Sequence, residues 1–327
     1  MDAATDPPAP RPSEFRVLAL SGGGYLGTYT AALLAELEER VGEPLARRFD
    51  LIAGTSVGGI LAIGLGYELP MKKMLALFLE RGAEVFSPRA LPRGAVSRLI
   101  DLTRSVLGPK YDGVALRAAL TQYLGDARVE QSLHDLVIPS VNVTRCQTKV
   151  FKTPHTTASR GDERILAVDV AMATCAAPAY FPAVAINGEL FADGGLFSVA
   201  PDQVALHEAE HFMGIDVNAV RMLSLGTGTQ GYQPQEGVSD DAGAVGWLSD
   251  GRLLLTLISV QQQHVQAMME DRLARRYMRL DAPWPARAGL GIDVATPESA
   301  RILSGMAGET MRAVNWRQLD RFLDKRS

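Results

Sequence analysis

Residues 49–65 read Phe-Asp-Leu-Ile-Ala-Gly-Thr-Ser-Val-Gly-Gly-Ile-Leu-Ala-Ile-Gly-Leu, and this stretch restricts the fold more than any other. A strand-like apolar run leads into Gly54-Thr55-Ser56-Val57-Gly58-Gly59, and a helix-compatible apolar run leaves it. Glycines on both sides of a serine let the backbone reverse sharply, so the hydroxyl can be held up at a strand-to-helix turn. The G-x-S-x-G pattern is that of a nucleophile elbow. The plainer alternative is a glycine-rich turn whose serine caps the following helix. Residues 51–67 carry no charge before Glu68 and approach the length of a membrane span, but the turn inside them fits a strand followed by a buried helix better.

The same unit occurs earlier. Phe15–Leu20 is a compact apolar run, Ser21-Gly22-Gly23-Gly24-Tyr25-Leu26-Gly27 follows, and residues 29–40 continue with helical spacing at Ala32, Leu33, Leu37 and Val41. Strand, helix, strand, helix in this order predicts an α/β fold with a largely parallel, buried sheet. Such sheets bind ligands at the carboxyl ends of their strands, where both glycine turns lie.

Further along, helices are expected over 71–86, 112–124, 168–174 and 201–212, and strands over 136–143, 149–152, 190–192 and 221–225. A polar linker spans 229–246. A long helix over 250–274, a strand at 277–280 and a closing helix over 297–324 complete the chain. The domain reading is a disordered leader over 1–14, a catalytic domain over 15–230 and a mainly helical region over 231–327 packed on it. Residues 87–110 mix Arg89, Arg93, Arg98, Arg104 and Lys110 with apolar residues, as an interfacial lid touching anionic lipid would, and as many ordinary surface helices do.

At 327 residues with 47% hydrophobic and 21% charged residues, the chain can bury a substantial core. A net charge of −4 argues against DNA or RNA as a partner, though not against a small anion in one basic pocket. The two cysteines, Cys146 and Cys175, sit in segments that read as buried, so the expectation is a reducing compartment, the cytoplasm, rather than a disulfide framework.

Gly22 to Gly27 also fits G-x-G-x-x-G, so a nucleotide-cofactor oxidoreductase has to be weighed. That fold needs an acid at the end of the second strand, and here Ala53-Gly54-Thr55-Ser56 stands there instead. In a hydrolase the same glycines, Gly22, Gly23 and Gly24, would present bare amides to a developing oxyanion. A serine needs a base. The later histidines His207, His211 and His264 lie outside glycine-rich strand ends, whereas Asp193 occupies one in Phe191-Ala192-Asp193-Gly194-Gly195. Asp193 is therefore a candidate base, the alternative being a turn aspartate bonded to its own backbone. Residues 207–211 fit H-E-x-x-H, but no third ligand accompanies them, and no metal site is expected.

Ser21-Gly-Gly-Gly-Tyr-Leu-Gly27, Gly54-Thr-Ser-Val-Gly58 and Asp193-Gly-Gly195, in this order, resemble the patatin-like phospholipases over about residues 15–228. Val150-Phe-Lys-Thr-Pro-His155, Ala176-Ala-Pro-Ala-Tyr-Phe-Pro182 and Leu206-His-Glu-Ala-Glu-His-Phe212 are more narrowly similar to the CapV-type effectors of bacterial anti-phage (CBASS) systems. The resemblance implies a patatin-like three-layer fold and a Ser56–Asp193 dyad acting on membrane glycerophospholipid at the inner face of the cell membrane. It implies no required cofactor, and a cyclic dinucleotide as activating ligand. Gly27, Gly54, Gly58, Gly194 and Gly195 would shape the site's turns. A nucleotide pocket is sought at Trp247, Arg252, Arg275, Arg276 and Tyr277, which offer stacking surfaces and phosphate partners, although Arg-rich helix ends are usually solvated. Apolar helix surface within 251–325 would serve a homo-oligomer, or simply pack on the catalytic domain. Leu26 departs from the basic residue that many relatives carry in this loop, so any anchoring by that side chain must come from elsewhere. A constitutive lipase or esterase without nucleotide control is the nearest competing reading.

Overall fold

The computed structural model describes residues 14–88, 108–233, 247, 252–285 and 289–324. Its centre is an eight-stranded sheet. Five strands run parallel in the order β3 (Asp135–Asn142), β2 (Leu51–Gly54), β1 (Phe15–Leu20), β7 (Val220–Leu225) and β8 (Tyr277–Leu280). β4 (Gln147–Lys152), β5 (Val184–Ile186) and β6 (Glu189–Asp193) join antiparallel, β4 and β6 beside β3 and β5 at the edge. Every residue of β1 and β2 is buried. Strands covered on both faces read as near-continuous apolar runs, broken in β1 only by Arg16, which is why these segments were legible.

Alternation along the strands separates two cores. Leu18, Leu20, Ile52, Leu136 and Ile138 face one, and Val17, Ala19, Leu51, Ala53 and Val137 face the other. The first core is covered by α1 (Gly27–Val41), α2 (Val57–Gly66), α3 (Met71–Val85), α4 (Val114–Leu124) and α5 (Ala167–Thr174). The second is covered by α6 (Asp202–His207) and the end of α7 (Arg252–Leu273), through Leu206, Val265 and Met269. Helix, sheet, helix makes three layers. Helix α7 takes part in both cores, since its first turns place Leu255 and Ile258 in the larger one. Fully burying a side chain such as Leu18 or Ile52 contributes about 1.5–3 kcal/mol.

Several local expectations change. The closing helix is two, α8 (Pro297–Ala313) and α9 (Trp316–Leu323), divided where Asn315 caps the second by accepting from the Gln318 amide. The helix expected over 201–212 stops being α-helical at His207 and continues as a π-turn over Glu208–Phe212. Cys146 is exposed in the turn between β3 and β4, while Cys175 is buried. Strand β8, from the C-terminal region, is part of the central sheet, with Met222 opposite Tyr277 and Leu225 opposite Leu280. Most of the stretch considered as a lid lies outside the described residues. No helix among the described residues is long and apolar enough to cross a membrane.

Register brings distant residues to one level. Ala53 lies opposite Val137 on β3, so three residues further Ser56 comes level with Ser140. Asp193, ending β6, is itself opposite Ser140, because β4 fills one edge of β3 and β6 follows β2 along the other.

Candidate active site

β2 ends at Gly54 and α2 begins at Val57, which leaves Thr55 and Ser56 to turn the chain. The turn is tight: a Cβ on Gly54 would stand 2.1 Å from the Gly58 carbonyl oxygen, and one on Gly58 would stand 2.2 Å from that of Leu20. Ser56 adopts φ 56° and ψ −127°, a conformation that side chains with a Cβ rarely hold. Strain of this kind costs about 1–3 kcal/mol and persists only where the surroundings enforce it. Thr174 supplies part of that enforcement, its Oγ1 accepting the Ser56 amide at 3.0 Å and donating to the Pro139 carbonyl at 2.6 Å.

The Ser56 hydroxyl caps nothing. It donates instead to Asp193 Oδ2 at 2.7 Å. The other carboxylate oxygen, Oδ1, accepts the Gly195 amide at 2.7 Å, and the Asp193 amide donates to the Ala176 carbonyl at 2.9 Å. Asp193 thus has the turn geometry of the plainer reading and the serine contact as well. Only 5% of it is exposed, and burial pushes its pKa up to about 6 against the opposing pull of the Gly195 and Ser56 hydrogen bonds. Burial, followed by the Asp193 charge, raises the pKa of the buried Cys175 thiol.

The glycine loop lies against this pair. A Cβ on Gly22 would stand 3.1 Å from Ser56 Cβ, so the loop passes directly beside Ser56. The expectation that Gly22 lends its amide to an oxyanion is corrected, because that N–H donates to the Val199 carbonyl at 2.8 Å. Among the described residues the amides of Gly23 and Gly24 have no intramolecular acceptor, and they open the 3-10 turn Gly24–Leu26 that leads into α1. Two free amides at a helix start beside a hydroxyl–carboxylate pair suit acyl transfer through a tetrahedral oxyanion.

The sequence model described as "Patatin-like phospholipase" matches residues 18–206, which include all three motifs and the strands that carry them. This chain belongs to the patatin-like phospholipase family. A Pseudomonas aeruginosa protein named "cGAMP-activated phospholipase" is 39% identical over 92% of this chain and 85% of its own length. Proteins of the same name from Vibrio cholerae and Escherichia coli are 33% and 30% identical, covering 90% and 88% of this chain and 89% and 86% of theirs.

Patatin-like phospholipases are hydrolases, and the remaining sequence candidates are best placed against that activity. The residues considered for a nucleotide pocket are not brought together. Arg252 opens the 22-residue helix α7 and Arg275 lies just beyond its end, about 33 Å away at 1.5 Å per residue. Arg276 donates to the Val217 carbonyl, and Tyr277 is buried, its hydroxyl donating to Asp202 at 2.9 Å. Trp247 is 37% exposed. In the H-E-x-x-H segment, His207 and His211 stack on the surface with ring centroids 5.0 Å apart, but Glu208 turns inward to ion-pair with Lys152 and hydrogen-bond His155 Nε2. Among the described residues no three His, Cys, Asp or Glu side chains group to hold a metal. Leu26 is fully buried in the larger core, where a charged side chain would have no solvent. Sequence reasoning did not find Thr174. A buried threonine at the end of a short apolar helix carries no sign of which amide it accepts.

Proposed function

We propose that this chain is a serine acyl hydrolase that releases fatty acid from membrane glycerophospholipid, using Ser56 and Asp193 as a dyad, and that a cyclic dinucleotide switches it on. The observation that carries the chemistry is the 2.7 Å contact of Ser56 Oγ with Asp193 Oδ2 on a strained strand-to-helix turn. Ser56 Oγ attacks the ester carbonyl carbon while its proton passes to Asp193, and the carbonyl oxygen gains its negative charge against the amides of Gly23 and Gly24. Collapse breaks the ester C–O bond, and the Asp193 proton goes to the departing lysophospholipid oxygen. Water then attacks the acyl-serine, its proton returns through Asp193 to Ser56 Oγ, and the fatty acid leaves. No histidine is needed, because a carboxyl group raised to about 6 stays ionised at neutral pH yet is more basic than an ordinary aspartate.

Support for a lipid surface as the place of action comes from Leu196 and Phe197, which follow the Asp193 turn and are 53% and 36% exposed. Support for nucleotide control comes from the shared name of three relatives that each match nearly the whole chain. The test is fatty-acid release from phospholipid vesicles with and without cGAMP. Wild-type protein releases fatty acid when cGAMP is added. Ser56→Ala and Asp193→Asn each lose at least about a thousandfold of that rate while remaining folded. Equal wild-type rates with and without cGAMP would leave a constitutive lipase, and full activity in either variant would remove that residue from the mechanism.

A further inference from the structure

Leu26 leaves the glycine loop without a basic side chain of its own, and the loop is held from the C-terminal region instead. Arg279 on β8 is buried, with 4% of its side chain exposed, and is paired with Asp281 at 2.9 Å. Its guanidinium also donates to Ser224 Oγ at 2.8 Å, to Ser21 Oγ at 3.3 Å and to Gln262 Oε1 at 2.5 Å. Gln262, on α7 and 3% exposed, is thereby oriented with its Nε2 toward the Gly22 carbonyl at 3.4 Å and Thr227 Oγ1 at 3.5 Å. Its neighbour Gln261 points about 100° away around the helix and reaches the other half of the site. Gln261 Nε2 donates to the Gly195 carbonyl at 3.3 Å, and its Oε1 accepts the Val199 amide at 3.1 Å.

These contacts close a ring. Asp193 accepts from Gly195, Gly195 accepts from Gln261, Gln261 accepts from Val199, and Val199 accepts from Gly22. Gly22 lies against Ser56, which donates back to Asp193. One turn of α7 therefore grips both the aspartate turn and the glycine loop.

We propose that Gln261 and Gln262, with Arg279 orienting the latter, are positioning residues that set the spacing between the carboxylate of Asp193 and the amides of the glycine loop. The proposal rests on the Ser56–Asp193 reading above. Its chemistry is geometric: a loop displaced by about 1 Å from the oxyanion can cost about a hundredfold in rate, without loss of substrate binding.

The full-length chain is assayed for vesicle hydrolysis at saturating cGAMP as wild type, Gln261→Leu, Gln262→Leu and Gln262→Glu, with Ser56→Ala alongside. Gln262→Glu keeps an acceptor for Arg279, whose guanidinium can pair with the added charge, and removes the donor toward Gly22 and Thr227 Oγ1, so it guards against a leucine variant that fails to fold. Each folded glutamine variant is expected to lose about ten- to a hundredfold in kcat with KM within about twofold of wild type. The acid limb of its pH profile is expected to stay in place, because Asp193 keeps its partners. A Gln262→Glu enzyme with wild-type kcat, or losses of kcat that track melting temperature across the series, would overturn the proposal. Those outcomes combined with a dead Ser56→Ala remove the brace alone, whereas an active Ser56→Ala removes the dyad beneath it.

Discussion

Thr174 Oγ1 accepts the Ser56 amide at 3.0 Å and donates to the Pro139 carbonyl at 2.6 Å, so one hydroxyl ties the strained turn to β3. Thr174→Val preserves shape and removes both bonds. It is expected to cost about 1–3 kcal/mol of stability by leaving two buried backbone groups unpaired, and to lower kcat by about ten- to a hundredfold. Thr174→Ser should recover most of both in denaturant melts and steady-state assays.

In the proposed dyad, ionised Asp193 is the form that takes the serine proton. With its pKa near 6, kcat/KM should fall as pH drops through about 6, with a slope of one proton. An acid limb near pH 4 would contradict the assignment.

The same shift affects stability with the opposite tendency. A carboxyl group raised from 3.8 to about 6 on folding binds its proton more tightly in the folded state, so its contribution is favourable below about pH 4 and is lost as pH rises to about 6. Above that range the ionised, buried group costs roughly 3 kcal/mol. Asp193→Asn should therefore be inactive but more stable than wild type at pH 8, with the advantage shrinking below pH 6. Urea melts across pH provide the check.

Gly24 and Gly42 both have positive φ, 58° and 72°, but only one is crowded. A Cβ on Gly24 would stand 2.1 Å from the Ile292 carbonyl oxygen, which also accepts the Tyr25 amide, while Gly42 has nothing within 4 Å. Gly42→Ala should cost about 1 kcal/mol from backbone conformation alone. Gly24→Ala should cost at least about 2 kcal/mol and also reduce activity, because the loop and the segment around Ile292 must separate.

Glu208 separates a structural H-E-x-x-H from a metal-binding one. Glu208→Ala leaves Lys152 and His155 buried without their partner and should cost about 3–5 kcal/mol. His207→Ala and His211→Ala, on the exposed face, should stay within about 0.5 kcal/mol. Chelator should change none of the three melting curves.

What the sequence made legible follows from burial and from turns. β1 beyond Arg16 and the whole of β2 are apolar runs because the sheet covers both of their faces, and glycine pairs marked where those runs had to reverse. Asp193 was found through the Gly194-Gly195 turn behind it. β5 escaped because it has only three residues, one of them exposed. The break between α8 and α9 falls at Val314-Asn315, where neither glycine nor proline announces it. Gln261 and Gln262 sit in a run of three glutamines that reads as a solvated helix face. Their roles depend on loops more than sixty residues away in the chain, at Gly195 and Gly22. The fate of the Gly22 amide was hidden for the same reason, its acceptor being Val199.

The carbonyl of Ile292 has a consequence for how the enzyme comes into being. Chains are synthesised from the N-terminus at about 5–20 residues per second. Ser56 and Asp193 therefore leave the ribosome before the segment that closes on Gly24 and Tyr25, and before β8 completes the edge of the sheet beside β7. A nascent or truncated chain can carry Ser56 and Asp193 without a finished glycine loop, so for a phospholipase the order of synthesis is itself a safeguard.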